Sequence, residues 1–128
     1  MGSQRSLIHS FRYALRGLYR AASTEPNFQL HLLAAATVAA LIIILPVTVT
    51  ETLILLIATM AVLILELMNI AVERLVDIIK PRIHHYAGVI KDVTAAAVLV
   101  ASVGAFVIGL IIFLPHILRV FASAEAIL

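Results

Sequence analysis

The chain has 128 residues, 63% of them hydrophobic and 12% charged, with a mean hydropathy of +1.15. Soluble domains run nearer half apolar and a quarter charged, so this chain cannot cover itself in water and reads as a single integral membrane domain, residues 1–128. The absence of cysteine excludes disulfides and thiolate chemistry, and a net charge of only +2 gives no footprint for nucleic acid.

In chain order, the first predicted element is a helix over about 5–24, in "SLIHSFRYALRGLYRAAS". Leu7, Ile8, Phe11, Leu15, Leu18 and Ala22 recur at helical spacing, while Arg12, Arg16 and Arg20 repeat every four residues on another face. An amphipathic helix packed on a soluble core is one reading. With membrane helices following, a helix lying in the interface, cationic face toward anionic headgroups, fits better. "MGSQRS" matches the short myristoylation pattern, a match too brief to carry weight. No cleavable signal pattern precedes the first apolar helix.

Three segments avoid Asp, Glu, Lys and Arg: Pro26 to Thr50, Thr52 to Leu65, and Val93 to Leu118. Crossing the hydrocarbon layer takes about 20 apolar residues, which the first and third meet alone. The second, about 21 Å long at ~1.5 Å per residue, spans only by continuing into "ELMNIAVERLVDIIKP", where Pro81 is expected to stop it. The predicted transmembrane helices are therefore about 28–48, 51–80 and 88–118, with "LPVTVTE" as a short turn and "KPRIHHYAGVIKD" as a longer loop. Arg5, Arg12, Arg16, Arg20, Lys80, Arg82 and Lys91 fall on one membrane face and Arg119 on the other. The positive-inside rule makes the basic face, with the N-terminus, cytoplasmic.

Glu66, Asn69, Glu73 and Asp77 fall in one stripe of the second helix. An acidic side chain at the bilayer centre costs roughly 2.5–3.5 kcal/mol, so these groups face the bundle or water near the cytoplasmic boundary. They could hydrogen-bond between helices, line a proton or cation path, or do chemistry. "GVIKD" brings Lys91 and Asp92 to the same depth, as does Glu25 in "STEPNF". Carboxylates beside Lys and Arg suit a magnesium–nucleotide complex. There is no GxxxxGK[ST] and no glycine cluster to cradle phosphates. The residues alone leave a membrane phosphotransferase as one candidate among several.

The run E-x-x-N-x-x-x-E-x-x-x-D, followed by "KD" after a short connection, resembles the small prokaryotic membrane diacylglycerol kinase family, which includes the Gram-positive undecaprenol kinases. The resemblance extends over nearly the whole chain, "TEPNFQLH" and "AGVIKDVTAAAV" included, with one departure: Ile70 stands where the family usually has Ser or Thr. It implies an all-α membrane fold, with an amphipathic surface helix and three transmembrane helices, assembled as a homotrimer that shares its sites between subunits. It implies ATP as donor, Mg²⁺ as cofactor and a lipid alcohol as acceptor, in the bacterial cytoplasmic membrane.

Residue by residue, Glu66 matches the general base that takes the proton from the lipid hydroxyl, and Asn69 would orient the hydroxyl or a phosphate. Glu25 and Glu73 match the metal-binding pair. Asp77 and Asp92 would support the metal–nucleotide assembly, and Lys91 would neutralise charge on the transferring group. Tyr13, Arg16, His84 and Gly88 fall near the nucleotide, although Tyr13 and Arg16 also read as interfacial anchors and His84 as a solvated loop residue. "TEPNFQLH" looks more like the undecaprenol kinases than the enterobacterial enzymes, which carry an acidic residue near the position of His31. Undecaprenol is thus the expected acceptor and diacylglycerol the alternative.

A proton-coupled transporter or channel subunit would need polar residues across the other half of the bilayer. Only His31 and Thr37 in the first helix, Thr52 and Thr59 in the second and Ser102 in the third are available. A polar path ending halfway favours chemistry at one face. An inactive scaffold subunit is disfavoured because every expected carboxylate is present.

Overall fold

A computed structural model describes the backbone of residues 2–125 and the side chains of residues 7–79 and 86–123. It is all helical: α1 (Gly2–Thr24), α2 (Pro26–Ile44) and α3 (Val49–Glu125). Within α3 two apolar arms, Val49–Ile79 and Tyr86–Ser123, are each long enough to cross a membrane, as is α2. The described residues thus comprise four helical segments, three of them able to span.

Local chemistry sets each joint. Ser23 and Thr24 donate their hydroxyls to the Arg20 carbonyl in the last turn of α1. Glu25 then adopts an extended backbone as N-cap of α2, and Pro26 follows at the first helical position, where its missing N–H costs nothing. The corner is pinned by buried Ala21 and Phe28 and by the Gln29 amide donating to the Ala22 carbonyl at 3.1 Å. At the other end of α2, Leu45 is extended and Pro46 prevents continuation. A reciprocal capping box opens α3: the Thr48 N–H donates to Glu51 Oε2 at 2.7 Å, and the Glu51 N–H donates to Thr48 Oγ1 at 3.2 Å.

The arms of α3 lie antiparallel in constant register. Glu51 meets His116 at 3.2 Å, Leu55 packs with Ile112 and Phe113, and Asp77 meets Lys91 at 2.6 Å. The expected stop at Pro81 and the expected loop after it are therefore corrected. The backbone stays helical through 80–85, although the chain reverses direction between Asp77 and Lys91. Pro81 removes one i→i−4 hydrogen bond, which permits a sharp bend without abolishing helical geometry on either side. The chain turns back between Asp77 and Lys91 without leaving helical geometry at Pro81.

The core sits at the end remote from the acidic stripe. Leu55, Ile112 and Phe113 pack against Val38, Leu41 and Ile42 of α2 and against Leu45 and Val47 just beyond it. Elsewhere apolar side chains point outward: Ile57, Met60, Ile64, Leu99, Val103 and Phe106 are all exposed. Such surface is stable against lipid tails or other membrane helices, not against water. Together with the three spans, it makes this a multi-pass membrane protein.

Candidate active site

The acidic stripe closes around the α1–α2 corner. Glu66 and Asn69 are buried, 3% and 6% exposed, although they sit in a thinly packed chain. The Asn69 amide donates from Nδ2 to Glu73 Oε1 at 3.1 Å, the bond that a one-turn spacing allows on a helix face. That bond fixes the amide's orientation, since turning it over would set an oxygen against a carboxylate. The other end of the amide, Oδ1, is buried and has no donor among the described residues. An orphaned acceptor beside a buried carboxylate is what a hydroxyl substrate would satisfy.

Glu25, Glu73 and His31 all lie close enough to act electrostatically on Glu66. The corner after α1 thus brings Glu25, 41 positions earlier in the sequence, to the carboxylates of α3. Its closest partner is the Arg74 guanidinium, which donates to Glu25 Oε1. Arg74 also feels the charges of Asp77 and Glu73. Lys91, from the second arm, donates to Asp77 Oδ1 at 2.6 Å. Glu25, Glu66, Asn69, Glu73, Asp77 and Lys91 therefore share one end of the hairpin.

The remaining expected residues are placed differently. Tyr13 and Arg16 pair with each other, guanidinium over ring at 5.8 Å, a cation–π contact on the surface of α1. Asp92 and Gly88 are exposed near the start of the second arm, and a side chain at Gly88 would meet open space. His84 lies outside the residues whose side chains are described. Arg74 lies among these carboxylates without being singled out by the sequence, although it is the only Lys or Arg between Glu51 and Ile79. A lone cation between Glu73 and Asp77 is the signal that could have found it.

Among the described residues no three His, Asp or Glu side chains converge into a metal cage. Mg²⁺ held together with a nucleotide does not demand one, because one or two carboxylates suffice when phosphate oxygens and waters complete the shell. Glu25 and Glu73, both near Glu66, fit that requirement.

One helical turn from Glu66, an apolar cavity of about 510 Å³ opens between α2 and the two arms. His31, Val62 and Ser102 line the end nearest the carboxylates, Thr59 the middle, and Leu41 and Ile117 the far end. A charged and hydrogen-bonding mouth with an apolar slot behind it suits an amphiphile.

The sequence model of the prokaryotic diacylglycerol kinases matches residues 12–113. The chain belongs to this family. Membership makes it a membrane lipid kinase. Among its relatives is an undecaprenol kinase from Bacillus subtilis, 39% identical over 108 residues, which make up 84% of this chain and 88% of that protein. A diacylglycerol kinase from Synechocystis is 34% identical over 88% of this chain and 65% of its own length. One from Haemophilus influenzae is 35% identical over 74% of this chain and 80% of its own.

Proposed function

We propose that this lipid kinase transfers the γ-phosphoryl group of ATP to the hydroxyl of undecaprenol, giving undecaprenyl phosphate and ADP. The observation that carries the reading is buried Glu66 beside the orphaned Asn69 oxygen, one turn from an apolar slot. The 39% identity to an undecaprenol kinase over most of both chains supports the choice of acceptor. So does the slot, which presents few polar groups able to read an acyl-chain ester.

In this reading the lipid hydroxyl donates toward Asn69 Oδ1 on approach, then gives its proton to the Glu66 carboxylate as its oxygen attacks the γ-phosphorus. The bond from that phosphorus to the bridging oxygen breaks, and ADP leaves with the electron pair. Lys91 offsets charge on the transferring group, and Asp77 holds the Lys91 ammonium at the site. Glu25 and Glu73 would hold Mg²⁺, which supplies charge neutralisation on the phosphates when bound. Asp92 supports that assembly, and Tyr13, Arg16 and Gly88 border the nucleotide.

The site belongs at the cytoplasmic surface of a bacterial membrane, where the basic side chains concentrate. There α1 is an amphipathic helix in the interface. Leu7, Ile8, Phe11 and Leu15 are each more than half exposed, so the protein leaves them for lipid to cover. A homotrimer would cover further apolar surface. Purified protein in mixed micelles with Mg–ATP and undecaprenol tests the reading: phosphorylated undecaprenol supports it, and none formed at any Mg²⁺ concentration overturns it.

A further inference from the structure

Arg74 has no part in the mechanism above, yet it holds the most exposed position in the acidic cluster. Its side chain is 68% exposed, while the Glu25 carboxylate it binds is 21% exposed. Glu73 precedes it and Asp77 follows one turn later, and both act on it electrostatically. A guanidinium therefore sits among three carboxylates, two of which are the pair fitted to hold a divalent cation. Asp77 already carries the Lys91 ammonium, so the cation bound to Glu25 is Arg74.

Glu25 cannot ligate a dication and keep a guanidinium against the same oxygen without placing like charges a few ångströms apart. Arg74 must then give up that bond, and its exposure leaves it free to swing at the rim. A guanidinium presents five donors in a fork that matches phosphate oxygens two at a time. We propose that Arg74 is a polyphosphate-binding residue: it rests on Glu25 in the nucleotide-free chain and turns onto the nucleotide's phosphates when Glu25 is taken by the metal. The inference rests on the ATP-dependent reading above.

The test is equilibrium binding to the full chain in detergent. Parent, Arg74→Ala and Arg74→Lys are each titrated with Mg–ATP, and separately with Mn²⁺ alone followed by its electron paramagnetic resonance signal. Arg74→Ala should bind Mg–ATP at least five-fold more weakly. Arg74→Lys should lie between it and the parent, since an ammonium keeps the charge and loses the fork. Mn²⁺ alone should bind Arg74→Ala as tightly as the parent or more tightly, because a competing cation is gone. Unchanged or stronger Mg–ATP binding by Arg74→Ala overturns the inference, leaving Arg74 as a competitor for Glu25. Weaker binding of Mn²⁺ alone also overturns it, making Arg74 a positioning residue for the metal ligand. If Arg74→Ala does not fold, Arg74→Lys, which keeps the ion pair and the fold, decides by the same two titrations. Failure of the parent itself to bind Mg–ATP overturns the function reading and this inference together.

Discussion

Glu66→Gln separates the chemistry of the buried carboxylate from its place in the fold. The substitution keeps the side chain's size and removes no described hydrogen bond, so the helix and the cavity behind it should be preserved. General-base catalysis contributes about 10²–10⁴-fold, which corresponds to about 2.7–5.4 kcal/mol of barrier at 1.36 kcal/mol per decade. Glu66 is only 3% exposed, so bulk water has little access to replace it and the loss should fall in the upper half of that range. Nucleotide affinity should stay within about two-fold, since neither candidate metal ligand is touched, and the deficit should appear in kcat. The assay is radiolabel transfer from γ-labelled ATP to lipid in mixed micelles, with Mg–ATP binding measured on the same preparation. A variant that binds nucleotide normally and turns over within three-fold of the parent would refute the proton-acceptor role.

Glu25→Gln and Glu73→Gln should each raise the Mg²⁺ concentration needed for half-maximal activity, and the double variant should resist rescue by added Mg²⁺. An unchanged Mg²⁺ profile in both single variants removes the metal assignment. Thr48→Ala breaks the capping box at the start of α3 and should cost about 0.5–2 kcal/mol of stability, read by denaturant titration in detergent. It should leave turnover unchanged, because the box lies at the end opposite the carboxylates. Ala58→Phe places a ring in the cavity and should lower kcat/KM for the lipid several-fold with the KM for ATP unaltered. Equal effects on both substrates would disconnect the cavity from the lipid.

The acidic stripe is legible because a membrane helix tolerates so few charges that each one carries information: Glu66, Glu73 and Asp77 stand out against fourteen preceding residues free of charge. The sequence places Asp77 and Lys91 only at a shared depth, and the hairpin register turns that into a bond. Long-range partners are not legible. Nothing local to Arg74 names Glu25, 49 positions away, and nothing local to Glu51 names His116, because only packing brings them together. Pro81 reads as an end, since a proline's lost hydrogen bond marks where a helix weakens without saying whether neighbouring turns carry the chain on. The cavity escapes for a related reason: Leu55, Thr59 and Val62 share one face of the second helix, and the opposing wall from α2 and the second arm exists only once the chain is folded.

Competition between the two acceptors is the most direct measurement. Undecaprenol and diacylglycerol are presented at equal mole fraction in mixed micelles with Mg–ATP, and the labelled products are separated by chromatography. The expected result is a several-fold higher kcat/KM for undecaprenol, abolished by Glu66→Gln. A several-fold preference for diacylglycerol would contradict the assignment of the acceptor.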